Sequence, residues 1–128
     1  MVQQNTHNLT NKKLVGEVIE IKDGYSKVVL TATDEMTVDE KGLIHGGFTF
    51  GLADYAAMVC VNDPNVVLGS ADVKFLAPVK KGDKLIAKAF LIKNEGKKNI
   101  VEVEIVSETN KVFSGTFNCY VLDKHVLD

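Results

Sequence analysis

Asp54 is the one charged residue between Gly46 and Asn62. In that stretch Phe48, Leu52, Tyr55 and Val59 recur at 4-3-4 spacing, while Phe50, Ala57, Met58 and Val61 cover another side. That pattern predicts a helix apolar all round, and such a helix is buried all round. Asp54 stands eight residues inside it, so it is no N-cap, and Asp in a helix interior is mildly unfavourable. An unpaired buried charge is expensive. The carboxylate must therefore be paired, hydrated or functional. Desolvation would raise its pKa toward values useful in a base. The plainer alternative is a hydrogen bond to a stray backbone amide or a place at a wet interface.

The second feature is the start of the helix, His45-Gly46-Gly47. The first helical N–H groups have no acceptor inside the helix, and with the helix dipole they favour an oxygen carrying developing negative charge. Glycine lets a substrate carbonyl approach the backbone closely. His45 either hydrogen-bonds loop backbone and holds the turn or touches the substrate. From Gly46 to Asp54 the helix rises about 12 Å. An oxyanion donor and a nucleophile must each lie about 3 Å from one carbonyl group. The two features of a single chain therefore cannot serve one substrate. If both are catalytic, the site is composite, with Gly46 from one subunit and Asp54 from its partner, and the chemistry requires a homodimer.

Other chemistries find little support. Cys60 and Cys119 lie far apart in apolar surroundings and form no CxxC, so they read as buried free thiols of a reducing compartment. There is no GxSxG elbow, and Cys60 has no charged helper nearby. His7 and His125 near the ends offer no ligand spacing with His45, so no metal is implied. A net charge of −2 argues against nucleic acid as a partner. All 15 basic residues are Lys, which leaves no bidentate fork for reading guanine or clamping a carboxylate.

The elements that must position these residues follow from periodicity. The 128 residues are enough for one domain with its own core. Residues 1–13 read as a flexible or capping segment, and residues 14–128 as the folded domain. Two strands, Leu14 to Ile21 and Tyr25 to Thr33, flank Asp23-Gly24, a strong hairpin signal. After the helix come four more. In Val66 to Leu76 the residues Val67, Gly69, Ala71, Val73 and Phe75 are expected on one face. Lys84 to Lys93, Asn99 to Val106 and a last strand bearing Phe113, Gly115, Phe117, Cys119 and Val121 continue as a meander. Strands with one buried and one wetter face mark an antiparallel sheet. The fold class is α+β, with five to six antiparallel strands wrapped around one long buried central helix.

The segment from Gly42 to Asp54, GLIHGGFTFGLAD, resembles the signature of the PaaI-like acyl-CoA thioesterases of hot-dog fold, HGG with a carboxylate nine residues after the His. FLAPVKKGD, Phe75 to Asp83, is similar to the family's strand-Pro-Gly-Asp segment. The resemblance covers roughly residues 14 to 122. It implies that Asp54 is the nucleophile or the base for water, that the amides at Gly46 and Gly47 polarise a thioester carbonyl, and that His45 shapes the turn. It also supplies the substrate class, acyl groups on coenzyme A, with no further cofactor. Lys80 and Lys81, with Lys97 and Lys98, are candidates to meet the CoA phosphates. Six residues before the His, where the family commonly has Asn, this chain has Asp39, which accepts but does not donate hydrogen bonds. Where the family often has a Ser or Thr early on the strand after the helix, the closest hydroxyl is Ser70. Phe48 and Phe50 narrow the acyl tunnel and favour short-chain or aryl groups.

The rival reading is a non-catalytic acyl-CoA-binding protein with a sensing or regulatory role. A dehydratase needs a His and a carboxylate placed to move two protons, which the HGG-to-Asp spacing does not match. An effector domain of a transcription factor is discounted, since thirteen N-terminal residues leave no room for a helix-turn-helix. With no signal peptide and no bilayer-spanning run, the expectation is a cytoplasmic protein, dimeric or a dimer of dimers, without membrane contact.

Overall fold

The computed structural model describes residues 1–108 and 110–128. Its elements begin with α1 (Lys12–Val15), β1 (Glu17–Lys22) and β2 (Tyr25–Thr31), then a short 3-10 turn (Asp34–Met36) and the long helix α2 (Gly46–Val61). The strands β3 (Val66–Phe75), β4 (Lys84–Glu95), β5 (Lys98–Ser107) and β6 (Asn110–Val121) follow. They form one six-stranded antiparallel sheet in the order β1-β2-β4-β5-β6-β3. The sheet packs around α2, nine of whose sixteen residues are buried. This is the hot-dog arrangement that the sequence led us to expect.

Alternation explains which side of each strand meets the helix. Val28 and Leu30, Ala87 and Ala89, Val103 and Ile105, and Phe113 and Phe117 project inward from four adjoining strands and are buried. Small residues on α2, Ala53, Ala56 and Ala57, let the sheet approach closely, and all three are buried. A buried hydroxyl also fastens the layers, Ser26 Oγ donating to the Ala56 carbonyl at 2.6 Å.

Two expectations need revision, and the N-terminal segment takes the capping form of the two expected for it. Leu14 and Val15 do not begin a strand but lie in α1, because the Asn11 side chain accepts from the Lys13 and Leu14 amides at 2.9 and 3.2 Å. Gly16 then turns the chain at φ +124°, where an added Cβ would lie 2.8 Å from Val28 and 2.9 Å from Leu52. The N-terminal segment is a capping strap. Asn5 N–H donates to Asn62 Oδ1 at 2.7 Å, Asn62 Nδ2 to the Gln3 carbonyl at 2.8 Å, and Gln4 Nε2 to the Tyr55 hydroxyl at 3.1 Å. These bonds close the C-terminal end of α2, where Asn62 adopts the left-handed conformation at φ 58°. On β3 the pairing skips Gly69, Leu68 facing Cys119 and Ser70 facing Asn118. That bulge reverses the alternation. Leu68 shares the inner face with Ala71, Val73 and Phe75, whereas Val67 and Ser70 do not.

β3 is an edge of the sheet, and its inner face is only partly covered. Ala71 is exposed, Val73 only half-buried, and Phe75 and Leu76 are 56% and 48% exposed.

Candidate active site

Helix α2 begins on His45, whose Nδ1 accepts the Gly47 N–H at 2.7 Å. With Nδ1 used as an acceptor, the neutral ring carries its proton on Nε2. The Phe48 N–H donates to the His45 carbonyl at 3.1 Å. Both bonds satisfy orphan amides of the first turn. Gly47 is therefore already engaged, and Gly46 N–H is left without an acceptor among the described residues. Of the two glycine amides named from the sequence, the geometry leaves Gly46 as the available donor. His45 itself acts as the cap that holds the turn.

Beside Gly46 lies an open cleft of about 380 Å³ between the start of α2 and the end of β3. Leu43, Ile44, Phe75, Leu76, Pro78 and Val79 form its apolar walls. The Phe75 ring covers the glycine, 3.3 Å from where a Gly46 Cβ would sit. The sequence reading missed this wall. Phe75 shares a strand face with Ala71 and Val73, as alternation predicts, but nothing in a strand pattern tells that it stands over the first residue of the helix.

Asp54 lies two turns further on, half-buried, and its carboxylate makes no hydrogen bond or ion pair among the described residues. Burial pushes its pKa above the ordinary carboxylate range. Gly51, one turn earlier, leaves open space beside it, with nothing within 4 Å of an added Cβ. The charge of Asp54 reaches Cys119 of β6, where it joins burial and Cys60 in raising that thiol to about 12. Cys60 is likewise pushed up to about 12, mainly by burial. Neither thiol is a nucleophile at neutral pH.

The remaining candidates separate. Asp39 Oδ1 accepts the Lys41 and Leu43 amides at 3.0 and 3.2 Å, so this carboxylate shapes the loop that presents Leu43 to the cleft. Phe48 stands edge-on to His45 with ring centroids 6.3 Å apart, and Phe50 packs on Phe117 at 5.7 Å. Neither lines the cleft at Gly46. Ser70 accepts from Asn118 Nδ2 at 2.9 Å on the outward face of the sheet, away from α2, because of the bulge at Gly69. The Lys81 ammonium is paired with Asp34 at 2.6 Å, while the exposed Lys80 donates its backbone N–H to Asp83 at 2.9 Å. A larger groove of about 490 Å³ lies on the outward face among Asp72, Lys74, Glu102 and Glu104. Lys111 and Glu104 pair within it at 3.1 Å, on the face of the sheet turned away from α2.

Comparison with known proteins decides the family. A model described as thioesterase superfamily matches residues 41–114, more than half of the chain and all of the cleft, cap and Asp54. The chain belongs to the thioesterase superfamily. The uncharacterised protein PH1136 of Pyrococcus horikoshii is 63% identical, with a TM-score of 0.98 over 99% of this chain and 98% of that one. The PaaI protein of the Escherichia coli phenylacetic acid degradation operon is 25% identical, with a TM-score of 0.80 over 88% and 83% of the two chains. Transcription factor FapR of Thermoanaerobacter sp. is 30% identical over 125 residues, 97% of this chain and 62% of FapR. Methylthioribose-1-phosphate isomerase of Aquifex aeolicus is 49% identical over 112 residues, 88% of this chain and 25% of the isomerase. The chain thus spans a quarter to about three-fifths of these two curated relatives. The similarity to FapR, a transcription factor, bears on a reading set aside above.

Proposed function

We propose that the protein hydrolyses acyl-CoA thioesters at a site shared by two subunits. The observation that carries this is Asp54, an unpaired carboxylate of raised pKa inside an apolar helix of a thioesterase superfamily chain. In this scheme the Gly46 N–H donates to the thioester carbonyl oxygen. In the direct route Asp54 takes a proton from the water that attacks the carbonyl carbon and passes it to sulfur as the C–S bond breaks, giving the carboxylic acid and coenzyme A thiol. In the covalent route Asp54 attacks the carbon, coenzyme A leaves as thiolate and takes a proton from solvent, and water then hydrolyses the mixed anhydride to release the acid and restore Asp54. The partner arrangement is supported by the free edge of β3. If β3 pairs with its own copy about its midpoint, Val66 and Val67 of one subunit lie beside Lys74 and Phe75 of the other. Gly46 sits at the Phe75 end and Asp54 lies two turns further along α2, so a two-fold pairing of β3 runs the two helices antiparallel and brings Gly46 of the partner subunit toward Asp54. Lys80 remains a candidate for the CoA phosphates.

A second reading is favoured by the similarity to FapR: the domain binds acyl-CoA without turnover and serves a regulatory role. A thiol-release assay across esters from acetyl to palmitoyl and aryl, run beside a binding titration, separates the two. Hydrolysis that disappears in Asp54→Asn supports the thioesterase. Binding with negligible hydrolysis across the whole panel overturns it in favour of the sensor.

A further inference from the structure

We infer that the cleft at Gly46 receives the acyl group, and that Phe75 sets how wide or long that group can be. This rests on the site proposed above and names which part of the substrate lies where. Three large apolar side chains around one cleft, Phe75, Leu76 and Leu43, are 56%, 48% and 41% exposed. Exposed apolar groups gathered at one place mark a surface that something apolar covers. The lining carries no charge, and its one polar side chain is the buried Thr49 among the apolar Leu43, Ile44, Phe75, Leu76, Pro78 and Val79. The pantetheine arm carries two amides and the nucleotide carries phosphates, and such groups lose hydrogen bonds against a wall of this kind. An alkyl or flat aryl group loses nothing polar there. The cleft also ends at the Gly46 amide, the donor that the thioester carbonyl needs, so a group attached to that carbonyl enters it directly.

Phe75 is the residue placed to limit that group. Its ring lies over Gly46, and the buried Phe113 holds it edge-on at a centroid distance of 5.3 Å and an angle of 81°. A ring fixed from behind makes a firm wall rather than a swinging one. Phe48 and Phe50, named from the sequence as narrowing the tunnel, face His45 and Phe117 instead.

The test compares Phe75→Ala and Phe75→Leu with the parent protein on acetyl-, hexanoyl-, decanoyl- and benzoyl-CoA. It records kcat/KM and, separately, dissociation constants in an Asp54→Asn background, with free CoA as the control. Phe75→Ala is expected to improve decanoyl- relative to acetyl-CoA by about tenfold or more, the usual scale for a change of this size in an apolar pocket. Phe75→Leu should fall between, and free CoA should bind as before. If Phe75→Ala fails to fold, Leu43→Ala on the opposite wall must shift the preference in the same direction. Hydrolysis with an unchanged ratio overturns the inference and leaves the thioesterase standing. A shifted binding ratio without any hydrolysis supports the inference and removes the thioesterase. Weakened dimers with unchanged selectivity mean that the partner subunit fills the cleft, and overturn it. Loss of free CoA binding together with the esters would place the coenzyme there and also overturn it.

Discussion

At the scale of single residues, Asp54 is held where its charge is penalised, and no ion pair or hydrogen bond among the described residues compensates it. Asp54→Asn keeps the shape and removes the charge. We expect thioester hydrolysis to fall by about two to four orders of magnitude. The melting temperature should rise at neutral pH, since functional groups often sit where the fold would prefer another residue. The sign follows from the raised pKa. Burial favours the protonated carboxyl in the folded state, so its stability contribution is complete below the unfolded pKa and is lost as pH climbs through the folded one. The advantage of Asn should therefore be present above the raised value and shrink to nothing on acidification. Activity of the parent protein should fall over the same window, because the carboxylate must be ionised to act. A substitution that lowers stability at neutral pH while activity per folded molecule persists would make Asp54 a structural residue. Its spacing from the glycines was legible in the sequence because a charge inside an apolar helix is conspicuous. The fate of Gly47 was not, since only the His45 ring geometry shows which amide it takes.

Among the elements, α2 and β3 carry the site, and each has a local device that can be removed. His45→Ala deletes the acceptor of the Gly47 N–H and should cost about 0.5–2 kcal/mol, with His45→Asn recovering most of it as a good N-cap. Thermal melts of the three proteins check this, and an unchanged His45→Ala would show that the cap contributes nothing. On β3 the ring of Tyr120 covers Gly69, in the place a Cβ would need. Gly69→Ala should push Tyr120 aside, disturb the bulge and lower both stability and any pairing through that edge, read by melting and sedimentation. Equal values for the Ala variant would mean that the bulge does not depend on Gly69. The helix, the order of strands and the meander were legible because their periods are long and regular. The bulge was not, since a skipped residue leaves the alternating types of Val67 to Phe75 intact while turning half of them over. Asn11 was overlooked because the apolar pair Leu14-Val15 reads equally well as strand, and only the cap bonds decide for helix.

For the whole molecule, one subunit holds a donor and a carboxylate separated by two helical turns, which fixes the form of the decisive experiment. Gly46 is the first residue of α2, and His45 before it is extended at φ −62°, ψ 130°. Proline is welcome at that position and tolerates such a predecessor, yet it has no N–H. Gly46→Pro thus removes the donor with a residue the helix accepts, although its added carbons press on the Phe75 ring of that same subunit's cleft. Asp54→Asn removes the carboxylate. Each variant alone should be inactive on acyl-CoA. Mixed after dissociation and reassociation, they form heterodimers in which one site combines the intact Gly46 of the first subunit with the intact Asp54 of the second. An equal mixture should regain about a quarter of the parent activity, since half the dimers are mixed and each has one whole site. If both variants fold and exchange subunits but no activity returns, the donor and the carboxylate do not act across the interface, and the shared site is contradicted.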